Sequence, residues 1–302
     1  MTVPVTCHRA TRVAGIDIFY REAGEEGAPV IVLLHGFPSS SHMYRNLIPA
    51  LADRYHVIAS DLPGFGLSEM PSPTAFEYGF AAFSDVVARF LEQLGAERYA
   101  LYLMDYGAPT GFRLALAHPD RVTALIVQNG NAYDDGMGDF WAPTRAYWAD
   151  SGPANRDAMR PFLSLEGTRF QYLAGTRDEA RVDPAAWLYD QLFLDRPGAK
   201  EIQLDIIYDY RTNVALYPAF HAYFRAHQPP ALILWGENDP IFLAEGAHAF
   251  LRDLPGAELH FFDTGHFALE DKAHEMIPVM RDFLARTLLP GNRNSETEND
   301  YV

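Results

Sequence analysis

The sequence predicts an α/β protein with a mostly parallel central sheet, helices on both faces and one long helical insertion acting as a lid. Three observations lead there. Short continuous apolar runs alternate with longer helix-like segments, the pattern of strands buried on both faces. The alternation lapses between Gly130 and Gln228, a stretch rich in Trp and Tyr and broken by Pro and Gly. Residues able to carry chemistry fall just beyond strand ends, where the active sites of such sheets lie.

In chain order, strands are expected at Gly15–Arg21, Val30–His35, His56–Ser60, Tyr99–Met104, Ala124–Gln128, Ala231–Trp235 and Glu258–Phe262. Each is a short run dense in aliphatic or aromatic residues. Helices are expected at Tyr44–Arg54, Phe76–Leu94, Thr110–His118, Glu245–Leu254 and His274–Leu288. The division that follows is a core of residues 1–130 and 229–290, a helical cap over 131–228, and a polar, frayed tail at 291–302.

Composition bounds the rest. A chain of 302 residues with 48% hydrophobic content can build one large core or two smaller ones. A net charge of −16 argues against nucleic acid or an anionic membrane surface as partner. The single cysteine, Cys7, excludes an internal disulfide and fits a reducing compartment, so a cytoplasmic location is expected. Met1–Arg12 lacks the apolar region of a signal peptide, no run approaches the roughly 18 apolar residues of a membrane span, and nothing repeats at a fixed period. The sequence leaves the oligomeric state open.

The most informative stretch runs from Tyr99 to Arg113. An apolar run ends in Asp105, followed at once by Tyr106, Gly107 and a helical pattern, which reads as a nucleophile elbow. An acidic residue after a strand can also be a helix cap or a turn residue. At an elbow tip, a carboxylate suits attack on a carbon that bears a leaving group, through an ester intermediate. Two more residues share its position. Asp239 follows Ala231–Trp235, and His266 follows Glu258–Phe262, giving the order nucleophile, acid, histidine. His35-Gly36-Phe37-Pro38 follows the strand starting at Val30, and its Phe37 N–H, with that of Tyr106, can form an oxyanion hole. The histidines lack metal-binding spacing, so neither a metal nor an organic cofactor is expected.

These segments, with Asp61-Leu-Pro-Gly-Phe-Gly-Leu-Ser68 and Gly236-Glu-Asn-Asp239, resemble α/β-hydrolase fold enzymes of the epoxide hydrolase and dehalogenase branch over nearly the whole chain. The resemblance implies Asp105 as nucleophile, His266 as base for a hydrolytic water and Asp239 as its orienting partner. The two N–H groups and His266 are expected to keep Asp105 ionised. His35 and the lid residues Trp141 and Trp148 are expected to contact a small apolar organic substrate, and other lid aromatics to form either pocket wall or lid core.

The leaving group divides the reading. Similar epoxide hydrolases polarise the ring oxygen with two lid tyrosines, and Tyr172 and Tyr210 resemble those positions in local sequence. Haloalkane dehalogenases place N–H donors where this chain has Tyr106 and Phe37. Fluoroacetate dehalogenases place arginines where it has Tyr106 and Pro109, leaving Arg113 as the only nearby substitute. Hydrolysis of an apolar epoxide to a diol is the leading expectation, with carbon–halide hydrolysis as the alternative. A non-catalytic binding protein on the same scaffold is a third.

Overall fold

The structure is a computed structural model and describes residues 4–289, so the expected tail at 291–302 lies outside the described residues. Eight strands are present: β1 (Cys7–Val13), β2 (Ile16–Ala23), β3 (Val30–Leu34), β4 (His56–Ser60), β5 (Tyr99–Met104), β6 (Val122–Gln128), β7 (Ala231–Gly236) and β8 (Glu258–Phe262). They form one sheet in the order β1-β2-β4-β3-β5-β6-β7-β8. β2 pairs antiparallel with both of its neighbours, and every pair from β4 through to β8 is parallel.

β1 is an addition to the expected strands. Its pattern is almost entirely exposed, so no apolar alternation marks it. A two-residue turn makes it instead. Ala14 and Gly15 both have positive φ, +50° and +87°, and join Val13 to its partner Ile16.

Helices α1 (Leu47–Leu51), α2 (Phe80–Gln93) and α3 (Gly107–Ala117) connect the first strands. Between β6 and β7 the chain runs through α4 (Ala142–Ala149), α5 (Pro153–Asp157), α6 (Leu165–Leu173), α7 (Pro184–Leu194), α8 (Ala199–Asp209), α9 (Arg211–Val214) and α10 (Tyr217–His227). Helices α11 (Ala244–Asp253) and α12 (Ala268–Leu288) complete the fold. Side chains alternate between two buried clusters. Val32, Leu34, Leu101 and Leu103 join α2, α3 and α11 on one face. Ile31, Leu33, Ala100 and Tyr102 join α1 and α12 on the other.

Several helix bounds differ from expectation for local reasons. The segment expected at Tyr44–Arg54 splits into a 3-10 turn, Ser41–Tyr44, and the short α1. α2 starts at Phe80 because Gly79 is extended and Asp209 accepts the Phe80 N–H at 2.9 Å. α12 begins at Ala268, two residues after His266, earlier than the expected His274. Among the described residues no helix is long and apolar enough to cross a membrane.

Candidate active site

β5 is buried along its whole length and delivers Asp105 at its carboxyl end. Asp105 has φ +47°, the left-handed region, before α3 opens at Gly107. Aspartate tolerates that conformation better than most residues, at a strain of about 1–3 kcal/mol. Two glycines make room for the turn. A Cβ on Gly107 would stand 2.0 Å from the Leu34 carbonyl oxygen, and one on Gly36 would stand 2.3 Å from the Asp105 Cβ.

The Asp105 carboxylate is held asymmetrically. Oδ1 accepts the Phe37 N–H at 2.6 Å, and the nearby Tyr106 N–H also favours the charged carboxylate. Oδ2 lies 3.7 Å from His266 Nε2, beyond hydrogen-bond reach. On the far side of the imidazole, His266 Nδ1 donates to Asp239 Oδ2 at 2.7 Å. An ionised carboxylate only accepts, so Nδ1 carries the proton and neutral His266 presents a bare Nε2 toward Asp105. That nitrogen is buried and has no hydrogen-bond partner among the described residues.

Asp239 is fixed in turn by the Ile241 N–H on Oδ1 at 2.7 Å and by Asn129 Nδ2 on Oδ2 at 2.8 Å. Asn129, at φ +43°, also accepts the Gly236 N–H at 2.9 Å, which ties the ends of β6 and β7 together. Asn129 escaped the sequence reading. Its signal was the Asn129-Gly130 pair, which marks a left-handed turn immediately after an apolar strand.

Burial, the largest influence, raises the Asp105 pKa above the ordinary carboxylate value, while the groups expected to favour its ionised form, the Phe37 and Tyr106 N–H groups and His266 when protonated, offset part of that rise. For His266, burial pulls the pKa down, but Asp239 and then Asp105 outweigh it, so the net shift is upward.

Over Asp105 lies a small cavity of about 60 Å³. Phe37, Tyr106, Trp141, Phe162, Ile207 and Ile241 form much of its wall, with Phe140 and Met159. Its lining residues with polar groups are Asp105, Tyr106, Thr144, Gln171 and Tyr210, and among the described residues no Lys, Arg or His lines it. Tyr210 has a buried hydroxyl without a hydrogen-bond partner among the described residues. Burial, the neighbouring Tyr217 and the Asp105 charge all raise its pKa.

Three expected contacts are not made. Tyr172 turns away and donates its hydroxyl to the buried Asp190, while its ring stacks on Phe267 at 3.9 Å. α6 turns about 100° per residue, so the neighbouring Gln171 faces the cavity instead. His35 is a loop latch: Nε2 accepts the Leu62 N–H at 3.0 Å, which puts the proton on Nδ1, and Nδ1–H donates to the Gly36 carbonyl at 3.0 Å. Trp148 stands behind the wall, with its ring parallel to Tyr210 at 5.9 Å and its N–H on the Ile207 carbonyl at 2.8 Å. Arg113 is likewise engaged elsewhere, donating to Thr212 and Asn213 at 2.8 and 2.9 Å. Of the aromatics within residues 131–228, Phe140, Trp141, Phe162 and Tyr210 line the cavity, whereas Tyr147, Trp148, Tyr172, Trp187 and Tyr189 pack outside it.

Comparison with known proteins places this geometry. The profile of the alpha/beta hydrolase fold family matches residues 29–273. An uncharacterized hydrolase of Saccharomyces cerevisiae is 43% identical over 267 residues, covering 87% of this chain and 91% of the relative. A haloalkane dehalogenase of Bradyrhizobium diazoefficiens is 39% identical over 280 residues, covering 85% and 89%. The solved structure of an epoxide hydrolase, CorEH, superposes with a TM-score of 0.77 over 93% of this chain and 99% of that one, at 22% identity.

Proposed function

The chain belongs to the α/β-hydrolase fold family, and from that premise we propose that it hydrolyses a small, neutral, apolar epoxide through an ester formed on Asp105. The observation that carries this reading is an elbow carboxylate, not a hydroxyl, under an apolar cavity lined also by Tyr210, whose buried hydroxyl makes no hydrogen bond among the described residues. Asp105 Oδ2 attacks a ring carbon, the carbon–oxygen bond breaks, and the oxygen takes its proton from Tyr210. His266 Nε2 then removes a proton from water, whose oxygen adds to the ester carbonyl. The resulting oxyanion stays on the Phe37 and Tyr106 N–H groups. Collapse releases the diol and restores Asp105, and the proton on His266 returns through solvent to Tyr210. In this reading residues 131–228 are the cap that closes over the core and supplies the leaving-group contacts.

Carbon–halide hydrolysis is the second reading, favoured by the haloalkane dehalogenase relative. Among halogenated substrates a haloacid fits less well, since no cationic side chain lines the cavity to hold its carboxylate.

Intact-protein mass distinguishes these chemistries. In His266→Gln the water is no longer activated, so the ester should accumulate. An epoxide adds its whole mass, because ring opening loses no atoms, whereas a haloalkane adds its mass less hydrogen halide. The epoxide adduct is the expected result with a mixed panel. Adducts of the halide-loss kind alone would replace epoxide by halide as leaving group, and no adduct at all would remove the ester mechanism.

A pH profile tests the orienting role of Asp239. His266 must be neutral to accept a proton, so ester hydrolysis should fail as pH drops through its raised pKa, above the ordinary histidine value of about 6.5. Asp239→Asn removes the main upward influence, so the acid limb should move to lower pH. The plateau should fall by about 10²-fold or more, because the imidazole tautomer is no longer held. An unmoved limb would show that Asp239 does not set the His266 titration.

A further inference from the structure

We propose that the side-chain amide of Gln171 contacts the substrate, donating an N–H hydrogen bond to the leaving atom while Asp105 attacks. The inference rests on the aspartyl-ester reading above and adds a residue that no sequence pattern marked.

Three polar side chains are buried along α6: Thr168, Gln171 and Tyr172. Two of them are satisfied by α7. Thr168 Oγ1 donates to Gln191 Oε1 at 2.8 Å, and the Tyr172 hydroxyl donates to Asp190. Gln171 is 5% exposed, lines the cavity over Asp105, and takes part in no side-chain hydrogen bond among the described residues. Unlike the Tyr210 hydroxyl, its amide atoms are not fully enclosed, so they stay open to a partner. The cavity it lines can supply one.

The chemistry has a use for it. When the ring opens, negative charge develops on oxygen inside a small, mostly apolar space, where a fixed donor is worth far more than in water. Tyr210 supplies one hydrogen bond and the transferred proton. The Gln171 amide supplies a second hydrogen bond and transfers nothing, so the atom balance of the ring opening is unchanged. The same N–H would hold a departing halide, which makes the contact common to both leaving groups. α6 is pinned to α7 on either side of Gln171 by Thr168 and Tyr172, and this fixes the amide before substrate arrives.

The test uses Gln171→Met, close in shape but without a donor, in the full chain carrying His266→Gln. Adduct formation on Asp105 is followed by mass with an epoxide and, separately, with a haloalkane. We expect formation to slow about 10²-fold relative to His266→Gln alone. In the His266 background, hydrolysis of the ester once formed should keep its rate. The melting temperature should hold, because Met keeps the shape of Gln at a position whose amide makes no side-chain hydrogen bond. Gln171→Asn, which keeps a donor on a shorter stem, should recover part of the lost rate. Tyr106→Phe serves as comparison, since its phenol shares the cavity wall.

Adducts formed at the parent rate, or a loss seen only with Tyr106→Phe, would overturn the assignment and leave the ester mechanism standing. A fall in melting temperature with no kinetic effect would make Gln171 a packing residue. The absence of any adduct in His266→Gln itself would end both readings together.

Discussion

Asp105→Ala should lose turnover by about 10⁴-fold or more and form no adduct in any background, because no other group in the cavity can replace its carboxylate. A companion substitution, Asp105→Asn, should melt higher than the parent protein at neutral pH. The sign follows from burial. The folded-state pKa of Asp105 is raised, so the ionised form is stabilised less in the fold than in the unfolded chain. That cost is absent below the unfolded pKa of about 3.9, grows as pH climbs toward the folded value, and is constant above it. The advantage of Asn over Asp should follow the same course, and Asn tolerates the left-handed turn as well as Asp does. Calorimetric melting between pH 4 and 8 measures it. A parent protein more stable than Asp105→Asn across that range would show that the N–H donors and His266 outweigh burial.

The second large effect is structural. Gly107→Ala would bring a methyl group to 2.0 Å from the Leu34 carbonyl oxygen. β3 is pinned between β4 and β5, and α3 is packed in the core, so neither backbone can withdraw. Overpacking of this kind costs about 1–3 kcal/mol, occasionally more. Leu34 leads directly into His35, Gly36 and Phe37, so any shift of β3 also moves the Phe37 N–H away from Asp105. Stability and activity should fall together. An unfolding free energy from urea titration within about 0.5 kcal/mol of the parent would contradict the close approach.

The elements that were legible in the sequence are those with a local cause. β5 shows as an unbroken apolar run that stops at Asp105, Asp239 follows another in β7, and His266 follows the shorter, mixed run of β8. β1 has no such signal because its side chains face solvent, and its pairing is imposed by the Ala14-Gly15 turn. The helical segment between β6 and β7 was harder for a related reason. α6 is polar or aromatic around much of its circumference, so nothing local decided whether Gln171 or Tyr172 would face inward. Asp190, eighteen residues on, decides it by taking the Tyr172 hydroxyl. The groups that favour the Asp105 carboxylate can be inferred from motifs, whereas the burial that opposes them is a property of the assembled fold.

One consequence of the topology concerns how such a chain can change. The chain leaves the sheet after Gln128 and re-enters at Ala231, on strands that are hydrogen-bonded neighbours, with Leu125 opposite Ala231. The segment between is therefore a closed excursion whose two ends meet on one sheet. Asp105, Asp239 and His266 all lie outside it, and Gln171 and Tyr210 lie within it. Recombination at these junctions could exchange the whole excursion while each strand kept its partners and Asp105, Asp239 and His266 stayed in place.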